Sequence, residues 1–129
     1  MGMVHVVRAE DLVDISASAG VSFTMDAPFA GKIMLGSCWA RWEEAAGTQT
    51  TTAGVASIEV GGTEYATLTS GKNEAIGDRD VFTLSGVGVD KAVYVAAGDL
   101  IDVKLKTQAV GGTVTGTIRV YLCFEFADV

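Results

Sequence analysis

His5 is the single histidine in a chain of 129 residues. Nucleophile–imidazole chemistry therefore has one position to draw on. Ser37, Ser57 and Ser85 supply hydroxyls, but none lies in a Gly-x-Ser-x-Gly elbow, the strained turn that exposes an attacking serine. Three carboxylate pairs, Glu43 with Glu44, Asp78 with Asp80 and Asp99 with Asp102, could divide acid and base roles in glycan hydrolysis. That chemistry needs a set separation inside a cleft, and a solvated acidic surface is the simpler reading. Asp78-Arg79-Asp80 could contribute ligands to Ca²⁺ but lacks the dense Asp/Asn/Gly loop of a dedicated site. Gly86 to Lys91 resembles a phosphate loop in composition only. It lacks the Walker spacing and reads as a turn between short strands. Cys38 and Cys123 match no zinc knuckle and read as two free thiols used as small apolar side chains. The expectation is a protein that is not an enzyme and holds no cofactor or metal.

Composition narrows the classes further. With 16 acidic residues against 9 Lys and Arg, the net charge is −7, which argues against binding nucleic acid by phosphate neutralisation. Hydrophobic residues make up 49% and charged ones 19%, too apolar for a disordered chain. Two cysteines are too few for a disulfide scaffold. No apolar run reaches the roughly 18 residues of a membrane span, so no membrane partner is expected. The start of the chain lacks a basic region, and Glu10, Asp11 and Asp14 interrupt its apolar residues, unlike a secretory leader. Gly2 is followed by Val6 where myristoylation requires Ser or Thr. The free thiols fit synthesis in a reducing cytosol.

The elements that must position any site have a period of two. In Thr113–Phe126, Val114, Gly116, Ile118, Val120, Leu122, Phe124 and Phe126 share one face; Arg119, Tyr121, Cys123 and Glu125 fall on the other. Leu100–Lys106 alternates likewise, and the Gly111-Gly112 connection predicts that the two segments pair as a hairpin. Val55–Val60 and Thr63–Thr69 flank Gly61-Gly62, a second hairpin. Lys32–Arg41 reads as one long strand. Val4–Arg8, Val21–Met25, Asp80–Leu84 and Ala92–Ala96 are shorter ones. Only Ala9–Ile15 and Ala40–Ala46 could form a helical turn. The abundance of Thr and Val favours sheet. About eight antiparallel strands in one domain predict an all-β jelly-roll β-sandwich. Residues 1–20 form an N-terminal arm and first strand, and 21–129 the sandwich.

Trp39 and Trp42 have opposite parity, so a regular strand cannot bury both. Trp42 is the one expected at the surface or at a subunit contact, the alternative being a bulge that lets both pack in the core. Tyr65, Tyr94 and Tyr121 fall on or near the polar parity of their strands, as suits a protein interface and equally a carbohydrate site.

Three segments carry a family resemblance. Phe23-x-Met25-x-Ala27-Pro28-Phe29-Ala30-Gly31-Lys32-Ile33, Ala53 to Thr63, and Val93-Tyr94-Val95-Ala96-Ala97-Gly98-Asp99-Leu100-Ile101-Asp102-Val103 resemble successive strands and turns of small tailed-bacteriophage virion proteins. The resemblance runs from about Val21 to Phe126. The Ala-Gly-Asp hairpin also resembles trimeric jelly rolls of the tumour necrosis factor and complement globular-head group. The resemblance implies a head decoration (cement) protein. It would be a homotrimer on the outer capsid surface of the virion, tying major capsid protein subunits together. The rival it leaves is a receptor- or carbohydrate-binding fibre tip. Contacts are expected from the arm, Met1 to about Ser16, and from the 43–54 loop. The residues chosen are Val4, His5, Val6, Arg8, Trp42, Glu43, Thr50 and Tyr121.

Overall fold

A computed structural model describes residues 4–34, 37–85 and 92–126. Its strands are β1 (Val4–Asp14), β2 (Gly20–Asp26), β3 (Gly31–Met34), β4 (Trp39–Glu44), β5 (Val55–Val60), β6 (Thr63–Thr69), β7 (Arg79–Val81), β8 (Thr83–Leu84), β9 (Ala92–Val95), β10 (Leu100–Thr107) and β11 (Thr117–Phe126). They form two antiparallel sheets, an all-β sandwich with no α-helix among the described residues.

The first sheet is organised around β11. One edge of β11 pairs with β1, from Val4 opposite Glu125 to Asp14 opposite Thr117. Its other edge pairs with β4 and then β3. β7 lies beyond β4, and β9 beyond β3. The second sheet runs β2-β10-β5-β6-β8. The core forms where the inward parities meet. Ile118, Val120, Leu122 and Phe124 of β11 belong to the same buried cluster as Ile101, Val103 and Leu105 of β10. Ile33, Ala40 and Trp42 complete the first sheet's layer, and Ile58 and Leu68 the second's. Burying side chains of this size contributes roughly 1.5–3 kcal/mol each.

The β5–β6 hairpin forms as the sequence predicts. Gly61 and Gly62 have φ of 60° and 83°, the positive values that a tight two-residue turn requires.

Four local expectations are corrected. First, β10 and β11 do not pair with each other; they lie in opposite sheets. Each has a fully apolar face, and those faces are buried across the sandwich instead of side by side. Residues 108–116 cross between the sheets, held by the Thr52–Val110 bridge. β11 therefore begins at Thr117 and not at Thr113. Second, Lys32–Arg41 is two strands. Ile33 and Ala40 are both fully buried although their parities differ, so the inward parity switches between β3 and β4. Leu35 and Gly36, between the two strands in sequence, lie outside the described residues. Third, Asp80–Leu84 divides at buried Phe82, with β7 in one sheet and β8 in the other. Fourth, where a helical turn was possible in Ala9–Ile15 and Ala40–Ala46, Ala9–Asp14 belongs to β1 and Ala40–Glu44 to β4, because most of their backbone pairs across to β11. Met1–Met3 of the expected arm and Gly86–Lys91 of the expected turn lie outside the described residues.

Candidate interaction face

With the inward set buried, the opposite parity of the first sheet forms an outer face. Strand register places its side chains in rows. One row reads Val81, Trp39, Tyr121 and Arg8 across β7, β4, β11 and β1. The next reads Arg79, Arg41 and Arg119. Val4 and Val6 lie on β1, and Tyr94 on β9. They are 57%, 57% and 76% exposed, and Val81 is 60% exposed.

Aromatic stacking organises the centre. The Trp39 and Tyr121 rings are parallel to within 7°, with centroids 3.9 Å apart. From the β7 side, the Arg79 guanidinium lies 4.5 Å from the Trp39 ring centroid. β7 and β11 flank β4 on opposite sides, so the indole is held between a cation and a phenol.

Directly opposed like charges destabilise a sheet, and this face sets three arginines in one row. Glu43 offsets part of that charge, its carboxylate lying 3.3 Å from Arg41 and 3.5 Å from Arg119. Arg119 also donates to the backbone oxygens of Ala9 at 2.7 Å and Glu10 at 2.8 Å. Those carbonyls belong to the irregular stretch of β1 between Arg8 and Leu12. Arg119 thereby anchors the bulge that would otherwise lack ladder bonds. Among the described residues, no carboxylate lies within ion-pair distance of Arg8 or Arg79.

The outer face of the second sheet differs. Lys104 pairs with Glu59 at 3.1 Å and Lys106 with Glu64 at 3.0 Å. The Thr24 hydroxyl donates to Asp102 at 2.6 Å. This is a solvated surface of locally matched polar groups.

Of the residues singled out from sequence, Val4, Val6, Arg8, Glu43 and Tyr121 meet on the first sheet's outer face. His5 turns the other way and meets Phe29 edge-on, with centroids 5.5 Å apart. Thr50 is exposed in the 45–54 loop, where its N–H donates to the Gly111 oxygen at 3.1 Å. Trp42 is a correction: it is fully buried. Its indole N–H donates to Asp80 Oδ2 at 2.9 Å, the partner a buried indole requires. The two tryptophans do face opposite ways, and Trp39 is the outward one. The parity switch before β4 decides which. Sequence reasoning also missed Arg41, Arg79 and Arg119. Strand register alone brings these three into one row.

Cys38 and Cys123 are buried free thiols, and the Cys123 N–H donates to Cys38 Sγ at 3.4 Å. Burial pushes the Cys38 thiol up to about 12 and raises Cys123, so both stay protonated and weakly nucleophilic at neutral pH. Asp99 accepts from the Ala96 N–H at 2.8 Å and closes a turn. Asp78 does the same for Ala75 at 2.9 Å. Burial, then the Asp80 and Asp78 charges, raise the Glu74 carboxyl. Among the described residues, no group of three or more His, Cys, Asp or Glu could hold a metal ion. A groove of about 260 Å³ between β1 and β2 is lined by Val7 to Asp11 and Phe23 to Met25. Among the described residues, no helix is long and apolar enough to cross a membrane. No family model, curated protein or solved structure matches the chain.

Proposed function

We propose that the protein is a structural component of a tailed-phage head. In this reading it is a trimeric decoration protein that binds the outer capsid surface and links major capsid protein subunits. The observation that carries this reading is the outer face of the first sheet. It combines exposed valines, tyrosine, tryptophan and arginine on one side of a rigid sandwich, and such side chains are enriched at protein interfaces. The stack also favours a protein partner over a sugar. Both faces of the Trp39 ring are covered, by Tyr121 and Arg79, whereas a stacking sugar requires an open aromatic face.

Two of the three resembling segments pack against each other. Ala27 lies in the first resembling segment and Gly98-Asp99 in the third. The Ala27 N–H donates to the Asp99 oxygen at 2.7 Å, and the Gly98 N–H to the Ala27 oxygen at 2.9 Å. A jelly-roll connectivity is the finer fold assignment that accompanies this reading.

The test is titration onto capsids stripped of decoration protein. Wild type should saturate at hundreds of copies per particle by gel densitometry. Trp39→Ala/Tyr121→Ala should fold but lose most of that occupancy. A handful of copies per particle, or full occupancy by the variant, would overturn the assignment. Deleting residues 1–16 is unsuitable, because it removes buried Ala9, Val13 and Ile15 from the core.

A further inference from the structure

Two adjacent rows of the first sheet's outer face hold every arginine of the sequence. Arg79, Arg41, Arg119 and Leu12 form one row, and Val81, Trp39, Tyr121 and Arg8 the other. These side chains include no carboxylate. The nearest acidic groups lie at the margins of the patch. Glu43 approaches Arg41 and Arg119, and Asp14 stands opposite Thr117, beyond Leu12. Glu125 pairs with Lys32 at 3.5 Å, and Glu10 and Asp11 line the groove.

The four guanidinium groups are not equivalent. Arg119 donates to the Ala9 and Glu10 oxygens and faces Glu43. Arg41 reaches Glu43 through Nη1 at 3.3 Å, while its Nη2 lies beside Gly77, just ahead of β7. Arg79 is held 4.5 Å from the Trp39 ring centroid, a contact that engages its charge and none of its N–H donors. Neither Arg79 nor Arg8 has a side-chain hydrogen bond or ion pair among the described residues.

The ladder sets Arg79 directly opposite Arg41. Opposed like charges destabilise a sheet, and an anion between them relieves that repulsion. A carboxylate matches guanidinium forks in shape as well as charge. Arg8 lies across three strand spacings from Arg79, roughly 15 Å away, on the far side of the Trp39–Tyr121 stack. Exposed Val81 and Leu12 border the arginines and give a protein partner apolar contacts. A nucleic acid strand stacks its bases on open aromatic faces, and both faces of Trp39 are covered.

We infer that this patch docks an acidic stretch of the partner protein, with one carboxylate bridging Arg79 and Arg41 and a second reaching Arg8 across the aromatic stack. The inference rests on the decoration reading above, in which that partner is the major capsid protein, and it gives the partner's surface a chemistry.

The experiment uses two full-length variants, with folding checked by circular dichroism and thermal midpoint. Arg8→Gln/Arg79→Gln removes no hydrogen bond or ion pair of the fold. Lys104→Gln/Lys106→Gln removes the same charge from the other sheet. On stripped capsids, wild-type affinity should fall steeply between about 0.05 M and about 0.5 M salt, as screening shortens the reach of charge. The arginine variant should bind about tenfold more weakly at low salt and lose most of that salt dependence. The lysine variant should match wild type. The second probe is a synthetic extended peptide with two glutamates about 13 Å apart. It should shift the Arg41 and Arg79 side-chain N–H resonances saturably, and its glutamine version and oligothymidylate should not. Equal capsid binding by wild type and the arginine variant would overturn the inference and leave the decoration role standing. A wild type that ignores capsids but binds the glutamate peptide would remove the decoration role and leave acidic docking standing. A peptide response that is missing, or shared by the glutamine version or by oligothymidylate, would overturn the inference. So would a fall in the solution mass of the arginine variant, which would assign the patch to a second copy of this chain.

Discussion

The Trp39 indole lies flat against the Tyr121 ring, centroids 3.9 Å apart and planes within 7°, on the solvent side of a sheet whose other side buries Trp42. Two tryptophans three residues apart thus have different duties. Trp42→Ala should cost about 3–5 kcal/mol, because it empties a fully buried site and leaves Asp80 without its indole donor. Trp39→Ala should cost about 1 kcal/mol, the scale of an aromatic pair. Urea unfolding of both variants measures the contrast, and equal losses would refute the assignment of faces.

Gln49 is a buried polar hub. Its side-chain nitrogen donates to Ser70 Oγ at 2.8 Å and to the Gly71 oxygen at 3.2 Å, and its Oε1 accepts from the Gly54 N–H at 2.9 Å. It ties the 45–54 loop to the loop after β6. Gln49→Ala strands these partners and should destabilise by about 1–3 kcal/mol. Hydrogen exchange should rise first at Gly54.

Glu64 and Glu74 should give opposite pH signatures. Hydrogen bonding to Lys106 lowers the Glu64 carboxyl. Its stabilisation is therefore present above the ordinary value of 4.5 and is lost as pH falls through the lower folded value. Glu64→Gln should reduce stability at pH 7 and matter little in strong acid. Glu74 is raised above 4.5 by burial and by Asp80 and Asp78. Its charged form is disfavoured in the fold above that raised value, and the cost disappears below 4.5. Glu74→Gln should therefore increase stability at pH 7 and give no gain at low pH. Thermal midpoints across pH 3 to 8 read both signs.

The Cys38 thiol, pushed up to about 12 by burial, should resist alkylation by iodoacetamide at pH 8 in the native protein. It should react at the rate of an ordinary thiol once the chain is unfolded in guanidinium chloride. Rapid native labelling of Cys38 would contradict its buried, protonated state.

Gly116 has φ of 135°, and an added Cβ would lie 2.7 Å from the Trp42 ring. Both backbone strain and overlap oppose a side chain there. Gly116→Ala should destabilise by about 1–3 kcal/mol, whereas Gly20→Ala meets no atom within 4 Å. The difference in their unfolding midpoints checks the packing at the start of β11.

Alternation alone was enough to define the sheet class, the β5–β6 hairpin and the inward face of β11, because these depend on neighbouring residues and on local turn chemistry. The inward set Ile118, Val120, Leu122 and Phe124 is legible without coordinates. Partner choice was not legible. β10 and β11 have the patterns of hairpin partners, yet they belong to different sheets, since an apolar face is equally well buried across a sandwich as beside a neighbour. The interaction face was half legible. Val4, Val6, Arg8 and Tyr121 could be chosen from parity, but Trp39, Arg41, Arg79 and Arg119 join them only through strand register. The parity switch between β3 and β4 exchanges which tryptophan faces water. No local pattern encodes that exchange, because it is set by how each half of the segment pairs with β11.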